Sequence, residues 1–241
     1  MTPHNETPVR RVMAMTGANG GIGHAVCDLL EQQGHRVFRL DLNSTGPDAL
    51  HVDVTDGGSV ERAFAEILET AGRIDGVVAG AGIVEDDVAA EDMSSTEFNR
   101  ILSVNLTGVF HTLTSAGRHM LTQGSGSLVA ISSMSGNHTV NRPQNQCAYN
   151  ASKAGVSALV RSLAAEWGGR GVRVNAVSPG YVATPLLEKK QHQVASWTEH
   201  IPAGRLAHAA EVAEAVSFLL SNRSSYFLGS ELLMDGGYTL V

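Results

Sequence analysis

Apolar positions along the chain follow two alternating patterns. Short continuous apolar runs predict buried strands, and stretches with apolar residues every three or four positions predict amphipathic helices. Val12–Thr16 predicts the first strand. Residues 21–33 predict a helix with Ile22, Ala25, Val26, Leu29 and Leu30 on one face, ended by Gly34. Residues 36–42 and 49–52 read as the second and third strands, and 59–71 as a helix with Val60, Ala63, Phe64, Ile67 and Leu68 inward. Residues 75–79 read as a fourth strand, followed by a loop over 80–92. Ser94 and Glu97 have the spacing of a capping box, so a long helix is expected from there to about Leu121, kinked near Asn105. Residues 127–132 predict the fifth strand, 149–167 a strong helix, 172–178 the sixth strand and 185–200 a partly helical stretch. Ala209–Leu220 predicts the last helix and Glu231–Met234 the last strand.

Strands alternating with helices imply an α/β fold whose parallel sheet is covered on both faces. Right-handed crossovers make such a sheet doubly wound, here with about seven strands. No linker or internal repeat divides it, so one domain is expected over 11–241, after a short disordered leader over 1–10 that contains Pro3 and Pro8.

Composition narrows the partners. A chain of 241 residues is ample for a core. A net charge of −7 with no cluster of basic residues argues against nucleic acid. No apolar run is long enough to span a bilayer, and the leader lacks the apolar stretch of a signal peptide. The two cysteines, Cys27 and Cys147, are expected as free thiols in a cytoplasmic protein. The ten histidines are scattered without metal-binding spacing, so no metal is expected.

Two constellations carry chemistry. The first is Thr16-Gly17-Ala18-Asn19-Gly20-Gly21-Ile22-Gly23, between a strand and a helix. In that context Gly17 allows a sharp turn, Gly21 a close approach to a pyrophosphate, and Gly23 tight packing of helix on sheet. The helix N-terminus offers unpaired N–H groups to phosphates. Asp41, 18 positions beyond Gly23, is placed to accept hydrogen bonds from the ribose of NAD and to repel the extra phosphate of NADP. Arg39 lies on the same strand face and is the counter-reading, a binder of that phosphate. Asp53, at the end of the third strand, is either an adenine contact or a turn residue.

The second constellation is Tyr149 and Lys153, four residues apart on one helix face. A free tyrosine has a pKa of about 10 and is a poor base near neutrality. A neighbouring ammonium favours the phenolate. Lowering the value by about 3 units takes about 4 kcal/mol of differential stabilisation. Tyr149 would then accept a hydroxyl proton from an alcohol while a hydride leaves its carbon. Ser132-Ser133 closes the fifth strand just upstream; Ser132 is expected to be satisfied by backbone.

These motifs resemble the short-chain dehydrogenase/reductases over nearly the whole chain, and the resemblance implies a Rossmann-like fold and a hydride-transfer enzyme. It implies that Asn105, Ser133, Tyr149 and Lys153 are catalytic. Ser133 would orient the reacting oxygen, Lys153 would also hold the cofactor ribose, and Asn105 would hold a water of a proton relay or else merely kink its helix. The implied cofactor contacts are Asn19 and Ile22 in the glycine loop, Val54 beside Asp53, Ala81-Gly82, and Pro179, Gly180, Val182 and Thr184 around the carboxamide. Asp235-Gly236-Gly237 resembles the family's C-terminal signature. One departure is Ala79-Gly80-Ala81-Gly82, where the family's usual Asn-Asn-Ala-Gly puts a structural asparagine.

Between Ser133 and Tyr149, 16 positions apart, lies a polar insert with Asn137, His138, Asn141, Gln144, Asn145 and Gln146. Such side chains suit a polyhydroxylated substrate, or else merely face solvent. Ser135, Asn141 and Gln144 are the candidate contacts, beside Ser133 and Tyr149. The pattern resembles bacterial polyol dehydrogenases of galactitol, arabinitol and sorbitol type. The alternatives are a 3-oxoacyl-thioester reductase and, from another class, a non-catalytic cofactor-binding scaffold. Apolar residues on both sides of the two long central helices point to a homotetramer.

Overall fold

β1 (Val12–Thr16) is buried along its whole length, as a strand must be when helices cover both faces of its sheet. The computed structural model describes residues 10–140 and 144–241; the expected leader, save Arg10, and Asn141 lie outside the described residues. α1 (Gly21–Gln32) leads to β2 (Arg36–Asp41) and β3 (Ala49–His51), and α2 (Gly57–Ala71) leads to β4 (Gly76–Ala79). Asp56 caps α2 by accepting from Gly58 N, so this helix begins two residues before the apolar pattern does.

The long helix expected after Ser94 is three pieces: α3 (Ser95–Leu102), a π-turn over Ser103–Thr107, and α4 (Gly108–Gln123). Ser94 Oγ caps α3 by accepting from Glu97 N, but the Glu97 carboxylate turns to Arg100, so only half of the capping box forms. β5 (Gly126–Ile131) is followed by a short helix within the polar insert, α5 (Met134–Asn137), and then by α6 (Cys147–Trp167). β6 (Val172–Pro179) and the two-residue β7 (Val182–Ala183) precede a 3-10 stretch over Pro185–Gln193 and α7 (Val194–His200). β8 (Ala207–His208), which pairs with β7, α8 (Ala209–Leu220) and β9 (Glu231–Met234) complete the order. The periodicity missed β7 and β8, because two-residue strands leave no repeat to read.

The main sheet has the order β3-β2-β1-β4-β5-β6-β9, with every pair parallel. Side chains alternate between two cores. Val12 and Ala14 of β1 join α2, α4 and α6 on one face, while Met13 and Met15 join α1 and α8 on the other. The chain leaves β1 toward β2 and returns beside it as β4. Their C-terminal ends therefore diverge at a crevice, the place where open parallel sheets bind ligands.

Candidate active site

Gly17 turns the chain sharply off β1 with φ +72°, and a Cβ there would lie 2.6 Å from Ala81 N. The turn and the β4 loop thus touch through backbone. At Gly23 a Cβ would run into the Gly17 and Ala18 carbonyls, so this glycine closes the loop on itself rather than fitting helix to sheet as expected. At Gly21 a Cβ would lie 2.8 Å from Thr184 Cβ, so Gly21 brings the start of α1 against the segment after β7. These spaces suit a ligand backed by bare backbone at the α1 N-terminus.

Most of the remaining expected cofactor residues line two hollows at the C-terminal edge of the sheet. Gly17, Asp41, Asp53, Val54, Ala81 and Gly82 line one. Ile22, Pro179, Gly180, Val182 and Thr184 line the other, a cleft that also holds Ser133, Ser135, Gln144 and Tyr149. Asn19 contributes its backbone, which donates to Asp41 Oδ2 at 3.0 Å. Asp53 Oδ1 accepts from the backbone and hydroxyl of Thr55, at 2.9 and 2.7 Å; the hydroxyl bond first and then the backbone bond hold its carboxyl below the usual range. Arg39 turns onto α1, paired with Asp28 at 2.6 Å and Glu31 at 3.0 Å, and lines neither hollow.

Tyr149 and Lys153 project from the first turns of α6. Tyr149 is half-buried; burial raises its pKa above the ordinary tyrosine value, and a hydrogen bond from Ser133 opposes that rise. Ser133 is buried in an extended conformation at the start of α5. Lys153 is only 4% exposed, and burial brings its pKa down to about 8. Its ammonium donates to Ile131 O at 2.8 Å and lies 5.6 Å from the centre of the Tyr149 ring. Without a ligand, then, burial sets the direction at Tyr149, the reverse of the shift expected from the pair alone.

Asn105, fully buried in the π-turn, acts as a clamp. Its Oδ1 accepts from Ile83 N at 2.8 Å, and its Nδ2 donates to Ile83 O at 2.8 Å and to Ser152 Oγ at 3.1 Å. It thereby joins the π-turn, the β4 loop and α6. Ser132 Oγ donates to the Lys153 carbonyl and meets Ser157 Oγ at 3.0 Å.

Among the described residues of the polar insert, several side chains are bonded to other protein groups. Gln144 donates to Tyr181 Oη at 2.9 Å and accepts from Trp197 Nε1 at 3.1 Å, and the two rings stack 4.2 Å apart. Gln146 Nε2 donates to Val140 O at 2.7 Å and lies 3.2 Å from both Ser135 Oγ and Asn150 Oδ1. Asn137 reaches Glu231 at 2.7 Å, away from the cleft. The sequence reading missed Tyr181, Trp197 and Lys190, which line the cleft, and the buried Glu85, which accepts from Tyr149 N. Trp197, an isolated aromatic within a polar stretch, was the one visible signal.

A family model described as enoyl-(acyl carrier protein) reductase matches residues 17–239. The chain belongs to the short-chain dehydrogenase/reductase family. It is 38% identical to galactitol 2-dehydrogenase (L-tagatose-forming) of Cereibacter sphaeroides, over 94% of each protein. It is 37% identical to D-threitol dehydrogenase of Mycolicibacterium smegmatis, over 95% of this chain and 93% of the relative. It is equally 37% identical to the 3-oxoacyl-[acyl-carrier-protein] reductase MabA of Mycobacterium avium, over 95% of this chain and 90% of the relative. A short-chain type dehydrogenase/reductase from Mycobacterium marinum superposes with a TM-score of 0.92 at 36% identity, covering 96% of both chains. This dehydrogenase/reductase is accordingly an oxidoreductase of a family that binds a nicotinamide cofactor. No helix among the described residues is long and apolar enough to cross a membrane.

The buried Lys153 has a measurable consequence. Between about 8 and the free value of 10.5 the unfolded chain holds a proton that the folded chain has released, so this residue makes stability rise with pH across that window. At neutral pH its charge opposes folding. Lys153→Met should therefore stabilise the ligand-free protein at pH 7 by about 1–3 kcal/mol and remove the lysine's part of the pH dependence. Thermal unfolding of both proteins at several pH values checks this; a clear loss of stability at pH 7 would contradict it.

Proposed function

We propose that this protein is an NAD-dependent enzyme interconverting a secondary alcohol and its ketone, the alcohol being a polyol or sugar alcohol, with Tyr149 as acid and base. The observation that carries the reading is that Ser133 and Tyr149 line one cleft, with the buried Lys153 ammonium 5.6 Å from the centre of the Tyr149 ring. The nicotinamide ring, when bound, supplies the acceptor or donor of the hydride. Tyr149 Oη takes the hydroxyl proton of the alcohol as its C–H bond breaks, and returns it in the reverse direction. Ser133 donates to the reacting oxygen and fixes its position. Lys153 favours the phenolate by its charge. Both amide hydrogens of Asn105 are spent, so the holding of a water there falls to its oxygen atoms.

Preference for NAD is supported by Asp41 at the rim of the hollow and by Arg39, whose guanidinium is already held by two carboxylates of α1. The polyol class is supported by the galactitol and threitol dehydrogenases among the relatives and by the hydroxyl of Ser135 in the cleft. Gln144 is a weaker candidate for a direct contact, because Tyr181 and Trp197 hold its amide; it shapes the wall instead. The second reading, reduction of a 3-oxoacyl thioester, is favoured by the similarity to MabA. Free thiols at Cys27 and Cys147 fit a cytoplasmic setting.

Turnover should be measured with NAD and NADP against polyols, simple secondary alcohols and, in the reducing direction, acyl thioesters. Polyols with NAD should give the highest kcat/KM, Asp41→Ala should narrow the gap between cofactors, and Tyr149→Phe should lose at least about 10²-fold. Higher kcat/KM on acyl thioesters with NADPH would replace this reading by the second.

A homotetramer is the assembly we propose. Phe110 on α4 and Leu233, Leu240 and Val241 at the C-terminal end are exposed apolar side chains of the kind that a partner subunit covers. Light scattering at micromolar concentration should give about four times the chain's 25.4 kDa; a monomer mass would refute the assignment.

A further inference from the structure

Glu85 is a carboxylate with 1% exposure in the loop that follows β4. Its oxygens accept from the backbone N–H of Tyr149, Oε1 at 3.0 Å and Oε2 at 3.2 Å. That N–H is one of the unpaired donors in the first turn of α6, where a negative charge is also favoured by the helix dipole. Helix-start carboxylates usually come from the preceding few residues of the same chain segment. Here the N-cap residue Gln146 supplies no side-chain cap, and the carboxylate arrives from 64 positions upstream. Two residues further along the same loop, Asp87 Oδ1 accepts from Asn145 N at 2.7 Å, and its Oδ2 lies 3.5 Å from Gln193 Nε2. The loop therefore holds the tyrosine's helix, the insert before it and the segment leading into α7.

We propose that Glu85 is a positioning residue for Tyr149, fixing the tyrosine's backbone at the start of α6 and placing a buried negative charge there. The proposal rests on Tyr149 being the acid and base. The charges around the pair decide the sign. Lys153, on the same helix, favours the phenolate from beside the ring. Lys190, from the segment after β7, lines the same cleft. Arg100 of α3 feels both Glu85 and Asp86, but its guanidinium is bound to Glu97. Asp86 and Asp87 share the loop. Glu85 is the acidic group whose charge raises the pKa of Tyr149 directly. Its carboxylate therefore opposes Lys153 and holds the tyrosine protonated to higher pH, which favours the proton-donating direction, reduction of a ketone.

The loop is also where this chain departs from its family, with Ala79-Gly80 in place of two asparagines. Asn105 holds the loop at Ile83, two residues before Glu85. A run of three acidic residues reads from sequence as a solvated turn; only the fold buries the first of them while Asp86 and Asp87 remain exposed.

The test is the pH dependence of alcohol oxidation. Glu85→Gln keeps an acceptor for Tyr149 N and removes the charge. Its acidic limb in kcat/KM should move to lower pH by roughly 0.5–1 unit. Glu85→Ala removes the acceptor as well and should lose turnover at least tenfold, with Glu85→Gln recovering most of it. Glu85→Asp keeps the charge but withdraws it from the backbone; it should lower kcat with the limb near its wild-type position, which keeps the test open should the glutamine variant not fold. Thermal unfolding of each variant separates lost positioning from lost folding. Coincident limbs for Glu85→Gln and wild type, or wild-type turnover in Glu85→Ala, would overturn the proposal. Tyr149→Phe is run alongside: if it retains turnover, the acid–base reading itself fails, whereas an inactive Tyr149→Phe with an unmoved Glu85→Gln limb sinks only the role of Glu85.

Discussion

Burying the Lys153 ammonium is costly, and the C-terminal edge of the sheet is built so that the charge is tolerated there. The ammonium leaves water but keeps a hydrogen bond to Ile131 O, at the last residue of β5. The peptide behind it is pinned by Ser132, whose hydroxyl donates to the Lys153 carbonyl. On the other side Asn105 bonds the β4 loop and Ser152 of α6 together. Gly82 adjoins the same groups: a Cβ at that position would make ordinary contact with both Lys153 Nζ and Asn105 Oδ1, at 3.6 Å. Such an arrangement is less stable than an apolar one of the same shape. It persists because the strands, the π-turn and α6 together over-determine it.

The two charges near Tyr149 act in opposite senses. Lys153 favours the phenolate from inside the sheet edge, and Glu85 disfavours it from the start of α6. The hydroxyl is also half-removed from water, which raises its pKa, and is held by Ser133, which lowers it. A tyrosine under such opposing influences can be moved by small changes in charge, and an oxidised nicotinamide ring arriving nearby would be one. On the proposed mechanism, the tyrosine would stay protonated in the free protein and become a stronger acid when the site is filled.

Much of this was legible in the sequence, and the boundary of legibility is physical. Strands buried on both faces give unbroken apolar runs, so β1, β4, β5 and β6 stood out. Tyr149 and Lys153 share a helix, so their spacing alone brought them together. Contacts between segments distant in sequence were not legible. Glu85 reaches Tyr149 only because β4 and β5 are neighbours, and Arg39 turns away from the hollow only because Asp28 and Glu31 of α1 are there to receive it. Part of the polar insert serves the fold itself, for a related reason. Its amides suggested a surface for hydroxyl-bearing ligands, yet Gln144 and Gln146 satisfy Tyr181, Trp197, Val140 and Ser135, because buried polar groups of the protein must be paired whether or not a ligand is present. The π-turn at Asn105 was foreseen only as a kink, since an extra residue in a helix leaves no mark on a short apolar pattern.

Ser133, Tyr149 and Lys153 are proposed to serve direct hydride transfer between a secondary alcohol and a nicotinamide. The most direct measurement is to incubate the protein with NAD and a polyol carrying deuterium on its carbinol carbons, and to examine the reduced cofactor by NMR. Deuterium is expected on the nicotinamide ring, with none exchanged to water. Reduced cofactor carrying only protium, or no reduced cofactor with any alcohol or ketone pair under either nicotinamide, would contradict it.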